Sequence, residues 1–246
     1  MESSKRNVLI IGGSGGLGVE LARIFLKKGD RVAIHFFRNE ATVAALLNEW
    51  GYNSKTNDSF SCHADIRNEL MVGEMFKEIR KRWSNLDLLI NSGGVTHDTL
   101  FSKMSQMNWD EAIQVNLSGL FFCMKKAAQW MIPSKKGHLI NIASLGALTG
   151  RIGQANYASA KAGVIGLTKS AAREWGENQI QVNAVLPGFL PTRLGLKINS
   201  YQQEELIREN ALQRGSSPDE VSRFVFFLSR MENVSGQIFN LDSRIF

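Results

Sequence analysis

The 246 residues of this chain predict an α/β protein, a doubly wound parallel sheet of seven strands flanked by helices on both faces. Three observations carry that expectation. Short apolar runs rich in β-branched residues alternate with longer segments of helical period, which is the pattern of repeated strand–helix–strand units rather than of hairpins. Most of those runs are apolar throughout, as strands covered on both faces are. No internal repeat, low-complexity segment or proline-rich linker divides the chain, so residues 1–246 read as a single domain.

The expected strands, in order, are Val8–Ile11, Arg31–Phe36, Phe60–Ala64, Leu86–Asn91, His138–Ala143, Gln181–Val185 and Gln237–Leu241. Between them the helical period is best marked over Leu17–Lys28, Glu40–Trp50, Glu69–Trp83, Trp109–Met131, Tyr157–Gly176 and Pro218–Ser229. The last of these starts with a serine cap, a proline and two acids, Ser217 to Glu220, as helix N-termini do. The least regular stretch is Phe189 to Gln203, which reads as a substrate lid following the sixth strand.

Composition narrows the function. Met1 to Arg6 is polar and leads straight into the first strand, without a signal peptide, and no apolar run is long enough to span a bilayer, so no membrane is expected and the location expected is cytoplasmic. The two cysteines, Cys62 and Cys123, have no partner at metal-ligand or redox spacing; both read as buried thiols, and no metal site is expected. The net charge of +6 and pI near 9.4 suit a phosphorylated ligand or an acidic carrier protein, and equally a solvated surface. Basic residues come in scattered pairs without interleaved aromatics, so no nucleic-acid partner is expected.

The first strand runs into Gly12-Gly13-Ser14-Gly15-Gly16-Leu17-Gly18 and then a helix, which places glycines where a backbone must turn and approach a pyrophosphate at a helix N-terminus. Glycines also serve any tight strand–helix turn, so this cluster alone leaves both readings open. A second cluster lies downstream, Tyr157-Ala158-Ser159-Ala160-Lys161, preceded by Ser144 at a strand end and by Asn116 in the long helix. At 3.6 residues per turn, positions four apart lie about 40° from each other, so Tyr157 and Lys161 share a helix face. A phenol with a pKa near ~10 is a poor acid or base at neutral pH, and an adjacent ammonium favours its phenolate. Taken singly, the three sites also read as a rim tyrosine with a snorkelling lysine, a helix-cap serine and a polar residue breaking a core helix.

In this order and spacing, Gly12-x-x-x-Gly16-x-Gly18, Asn91-Ser92-Gly93-Gly94, Asn116, Ser144, Tyr157-x-x-x-Lys161 and Pro187-Gly188 resemble the short-chain dehydrogenase/reductase family along nearly the whole chain. The resemblance implies a Rossmann-type dinucleotide-binding and catalytic domain. It implies that Tyr157 exchanges the proton, Ser144 holds the substrate oxygen, Lys161 holds the nicotinamide ribose and Asn116 anchors a water linking Lys161 to solvent. It also implies dinucleotide contacts by Gly12, Ser14, Gly16, Leu17 and Gly18 in the turn, by Arg38, Asp65 and Ile66 beyond the second and third strands, and by Asn91 and Gly93 beyond the fourth. Pro187, Gly188, Leu190 and Thr192 beyond the sixth strand, with Tyr157 and Lys161, complete that set.

At the end of the second strand, Ile34-His35-Phe36-Phe37-Arg38 offers no acid to accept both ribose hydroxyls, while Arg38 can pair with a 2′-phosphate, so NADP(H) is expected over NAD(H). The basic residue that many NADP-using members carry in the glycine turn is here Gly15. Asp65 is similar to a family aspartate on the adenine amino group and could also cap the next helix. Other departures are Ile11 where a threonine is common, Asn91-Ser92-Gly93-Gly94 for Asn-Asn-Ala-Gly, and the ending Asp242-Ser243-Arg244-Ile245-Phe246 where a glycine pair is usual.

Gly153-Gln154-Ala155-Asn156-Tyr157, Asn183-Ala184-Val185-Leu186-Pro187-Gly188-Phe189 and Thr192 are similar to the 3-oxoacyl-acyl-carrier-protein reductases. That similarity implies NADPH-dependent reduction of a 3-oxoacyl thioester in fatty-acid-type biosynthesis, with Arg173, Lys125 or Lys126 as carrier contacts and a homotetramer as the assembly. The alternatives are another carbonyl or alcohol, such as a sugar, polyol, cyclic ketone or coenzyme A thioester, and a non-catalytic cofactor-binding scaffold.

Overall fold

The computed structural model describes residues 5–51, 58–197 and 200–245. Seven strands, β1 (Asn7–Ile11), β2 (Arg31–Phe36), β3 (Phe60–His63), β4 (Leu88–Asn91), β5 (Gly137–Ile142), β6 (Ile180–Leu186) and β7 (Ile238–Asn240), form one sheet in the order β3-β2-β1-β4-β5-β6-β7. Every neighbouring pair is parallel. The chain winds outward from β1 to one edge and then from β4 to the other, so the carboxyl ends of β1 and β4 diverge and leave a crevice between them.

Side-chain alternation divides the core into two layers. Val8 and Ile10 of β1 face the helices α1 (Gly16–Lys27), α2 (Glu40–Glu49) and α9 (Pro218–Leu228), where Leu21, Phe25, Val43, Leu46 and Val225 are buried. Leu9 and Ile11 face the opposite way, with Val72 and Phe76 of α3 (Glu69–Arg80), Met124 of α5 (Gly119–Met131) and Val164 of α7 (Ala155–Trp175). Arg6 ties the start of β1 to α9: its guanidinium meets the buried Asp30 carboxylate at 2.8 Å and donates to the Ser229 carbonyl at 2.8 Å.

All seven expected strands are present, and the helices differ in four places. The expected helix Trp109–Met131 is two, α4 (Gln106–Ile113) and α5, joined by a five-residue π turn over Gln114–Ser118. Ser105 caps the first by accepting from Asn108 N at 3.2 Å. Asn68, not Asp65, caps α3, accepting from Leu70 and Met71 N. A short helix, α6 (Gly146–Thr149), follows β5, and α8 (Ser200–Arg208) begins within the stretch read as an irregular lid and runs beyond it. Only Leu206 of α8 is buried, which leaves a short, mostly polar helix on the surface with little apolar content to announce it. Ile198 and Asn199 of that stretch, and Phe246 of the tail, lie outside the described residues.

Cys123 is buried and its thiol is pushed up to about 12; Cys62, on the edge strand β3, keeps part of its residue surface exposed, yet burial raises its thiol as well. Among the described residues no group of three or more His, Cys, Asp or Glu could hold a metal ion, and no helix is long and apolar enough to cross a membrane.

Two strand histidines, His35 and His138, are buried, and desolvation lowers both imidazoles from 6.5 to about 4. Each is therefore neutral in the fold, and the stability this gives is whole above pH 6.5 and is lost as pH falls toward 4. In denaturant titrations the stability gap between the wild type and His35→Asn should narrow by on the order of 3 kcal/mol between pH 7 and pH 4. A gap independent of pH would rule out a neutral buried imidazole at residue 35.

Candidate active site

The glycine turn is shaped by contact. Gly12 has φ +73 and packs so closely on the backbone leaving β4 that a Cβ there would overlap Gly93; a Cβ on Gly18 would overlap the Gly12 carbonyl oxygen. The N-terminus of α1 thus lies against the end of β1, with no capping side chain and no acid in its first turn, so its amides are free to meet an anion. This cradle fits a pyrophosphate, since backbone donors there can approach a phosphate without an intervening side chain.

Beneath the turn lies His35, whose role sequence reading does not isolate. Gly12 N donates to its Nδ1 at 3.1 Å, its Nε2 is 3.0 Å from the Ala64 carbonyl, and Gly13 N donates to its own carbonyl at 2.9 Å. Accepting at Nδ1 and donating at Nε2 requires the neutral tautomer, in agreement with its lowered pKa. The strand end that reads as a ribose site therefore also holds the phosphate turn in shape.

Above the sheet a cleft of about 1090 Å³ runs from this turn to α7. Of the expected dinucleotide contacts it brings together Gly12, Ser14, Gly16, Leu17, Gly18, Arg38, Asp65, Ile66, Gly93, Pro187, Gly188, Leu190 and Thr192, with Tyr157 and Lys161. Asn91 is the exception: its side chain turns into the sheet and donates to Asn141 Oδ1 at 2.8 Å, so it braces β4 against β5 instead of lining the cleft.

At the adenosine end, the Arg38 guanidinium stacks 5.1 Å from the centre of the Phe37 ring and forms no salt bridge among the described residues. Asp65 is held by Arg67, whose Nε lies 2.9 Å and 3.0 Å from its two oxygens, and this partner keeps the carboxyl below its ordinary range. Any contact it makes with adenine is shared with that arginine.

At the other end, Ser144 follows β5 and hydrogen-bonds the Tyr157 hydroxyl, while its Oγ also accepts from Gly146 N at 3.3 Å. Lys161 lies one turn along α7 with its Nζ 5.7 Å from the centre of the Tyr157 ring, donating to the Ile142 carbonyl at 2.8 Å. Burial pushes the tyrosine up to about 12 and the lysine down to about 8. Burial is the chief influence on both, so in the protein by itself the Tyr157 hydroxyl stays protonated.

Asn116 is fully buried in the π turn and does not line the cleft. Its Oδ1 accepts from Val95 N and its Nδ2 donates to Val95 O, both at 2.9 Å. A Cβ on Gly94 would press within 2.9 Å of that same Oδ1 and within 3.8 Å of Lys161 Nζ, so Gly94 leaves the two close together. Asn156, quoted above only as wording, is a further support: it is fully buried, and its Nδ2 donates to the Asn108 carbonyl at 3.0 Å and reaches the His97 carbonyl at 3.3 Å. It fixes the N-terminus of α7, and so Tyr157, against α4.

Residues 6–203 match the family model described as short chain dehydrogenase. A 3-oxoacyl-[acyl-carrier-protein] reductase FabG of Staphylococcus aureus (strain Mu50) is 33% identical over 243 residues, 98% of each chain. A 3-oxoacyl-[acyl-carrier-protein] reductase of Synechocystis sp. is 33% identical over 237 residues, 95% of this chain and 94% of that one. The solved structure of ElxO with NADP bound superposes with a TM-score of 0.88 at 29% identity, covering 97% of this chain and 98% of that one. With the fold, the glycine cradle and the serine–tyrosine–lysine cluster on one cleft, these likenesses establish that the chain belongs to the short chain dehydrogenase family and is an oxidoreductase of it.

Proposed function

We propose that the protein reduces the keto group of a 3-oxoacyl thioester, carried on acyl carrier protein, to the 3-hydroxyacyl thioester, with NADPH as reductant. The observation that carries this reading is the meeting of Ser144, Tyr157 and Lys161 at one end of a cleft whose other end is the glycine cradle. The glycine turn, Arg38, Asp65, Lys161 and the loop from Pro187 to Thr192 would hold the dinucleotide, which supplies the hydride when bound.

The chain's own part is to place the carbonyl and its proton. Ser144 donates to the carbonyl oxygen and holds it beside the Tyr157 hydroxyl. As negative charge grows on that oxygen, Tyr157, still protonated, delivers its proton. Charge left on the phenolate is then met by the Lys161 ammonium, whose pKa near 8 leaves it ready to share a proton. Asn116 holds Val95 and Gly94 back so that Lys161 can be reached from behind, where the family places a water.

The thioester is supported by the two named relatives at 33% identity. Exposed Arg173 on α7, without a salt bridge among the described residues, fits an acidic carrier better than Lys125, which meets Glu69 at 3.1 Å. A homotetramer is supported by Phe121 on α5 and Phe227 on α9, 43% and 61% exposed on two separate faces. A second reading, another carbonyl substrate, is favoured by the tail, because Arg244 and Ile245 enter the cleft where a glycine pair is usual.

Steady-state oxidation of NADPH with acetoacetyl groups on acyl carrier protein and on coenzyme A tests the reaction. Carrier-dependent turnover is expected, and Tyr157→Phe should lower kcat by about 10²- to 10⁴-fold with little change in NADPH affinity; turnover of neither thioester moves the assignment to the second reading. Arg38→Glu should raise KM for NADPH by about 30-fold and leave NADH no worse, and an equal loss for both dinucleotides would remove Arg38 from phosphate recognition. Sedimentation should give a tetramer, reduced in size by Phe227→Glu; a monomeric wild type would refute that assembly.

A further inference from the structure

The last described residues fold back over the cleft, and their polar groups are used there one by one. Asp242, its side chain fully shielded, faces the backbone at Gly188 and Phe189 and pairs with Arg244, whose Nε donates to Oδ1 at 2.9 Å and whose backbone N donates to the same atom at 2.9 Å. Arg244 in turn lies 3.5 Å from Glu209, one residue beyond α8. Ser243 completes the strap: its carbonyl accepts from Ala211 N at 3.1 Å, and its hydroxyl donates to Asn210 Oδ1 at 2.9 Å. Asn210 is itself buried and donates to the Leu206 carbonyl at 2.7 Å.

These contacts join three segments that otherwise meet only at the substrate end of the cleft: the loop after β6, the C-terminal end of α8, and the tail. Gly188, at φ +77, sits directly under the Asp242 carboxylate, where a Cβ would press on Oδ2 at 3.0 Å. A fully shielded carboxylate matched by a guanidinium and the Arg244 backbone amide is costly to assemble and costly to break singly. Its placement over the substrate loop, and not in the core, ties that cost to the shape of the cleft mouth. A glycine pair at this point could make none of the side-chain bonds.

We infer that Asp242 and Arg244 are positioning residues for the carbonyl substrate: their ion pair clasps α8 and the loop at Phe189 into one wall and so sets the width of the cleft beside Ser144 and Tyr157. The kinetic arm rests on the reductase reading of the cleft; the exchange arm does not.

The test uses the full chain loaded with NADPH and the variants Arg244→Ala, Arg244→Lys and Asp242→Asn. Hydrogen exchange should quicken at Phe189, Ala211 and Leu212 by about tenfold or more in Arg244→Ala and Asp242→Asn, with the strands of the sheet unchanged. KM for the carbonyl substrate that the wild type turns over should rise by about tenfold while kcat and the Kd for NADPH stay within about twofold, and Arg244→Lys should recover part of the loss. Unchanged exchange in those segments overturns the clasp even where no substrate is turned over. Faster exchange with an unchanged KM, or a loss spread evenly over kcat, cofactor affinity and melting temperature, overturns its role in positioning substrate.

Discussion

The backbone of Gly12 packs on the backbone of Gly93, and the crevice between the ends of β1 and β4 has its depth because neither residue places a side chain between them. That approach is the constraint on which the rest of the molecule turns. It seats α1 over the strand end, with Gly18 against the Gly12 carbonyl, and so aims the unpaired amides of α1 across the crevice. It also fixes where β4 must let go, and from that point Gly94 leads directly to Asn116 and Lys161. The phosphate end and the proton-transfer end of the cleft are therefore set by one contact between two strands. His35 backs that contact from below with a bond that only a neutral imidazole can accept, so the turn is held by the sheet and not merely permitted by its glycines.

At the proton-transfer end the protein alone keeps Tyr157 a neutral phenol and brings the Lys161 ammonium close to the pH at which it gives up its proton. Burial is the chief influence on both Tyr157 and Lys161, as expected when two groups share a poorly hydrated pocket and neither is in direct contact with an opposite charge. A protonated phenol suits the donor in a reduction. The Ile142 carbonyl keeps the lysine aimed while its charge is loosely held, and the Ser144 hydroxyl keeps the tyrosine oxygen on the substrate side. Pre-set direction with adjustable charge is what a reversible proton relay needs.

How much of this was legible in the sequence follows from the range of the interactions involved. The strands show because a sheet buried on both faces needs unbroken apolar runs, and Val8–Ile11 or Leu88–Asn91 can hardly be anything else. The turn and the Tyr157–Lys161 pair show because each is local, a few residues whose spacing alone brings them together. The π turn at Asn116 does not show, because what widens the helix is a pair of bonds to Val95, 21 residues earlier. Asp65 reads as well for a cap as Asn68 until Arg67 is seen to claim it. His35 looks like any strand residue, since its meaning comes from Gly12 across the sheet. Helix α8 is hidden for a different reason: it is short and mostly polar, and it buries a single leucine.

The same reasoning separates what is shared among proteins of this fold from what is particular to this one. Ser144, Tyr157 and Lys161 stand on a strand end and on α7, where backbone geometry leaves little freedom. The substrate end is instead built from the loop after β6, α8 and the tail, segments whose positions are fixed by side-chain bonds to one another. A change of a few residues there can move a wall of the cleft without disturbing Ser144, Tyr157 or Lys161. The tail of this chain brings an acid and an arginine to that wall, and Arg244 lines the cleft. That wall of the cleft therefore rests on contacts between segments distant in sequence, Ser243 with Asn210, 33 residues earlier, among them, and such contacts are the least visible in any local motif.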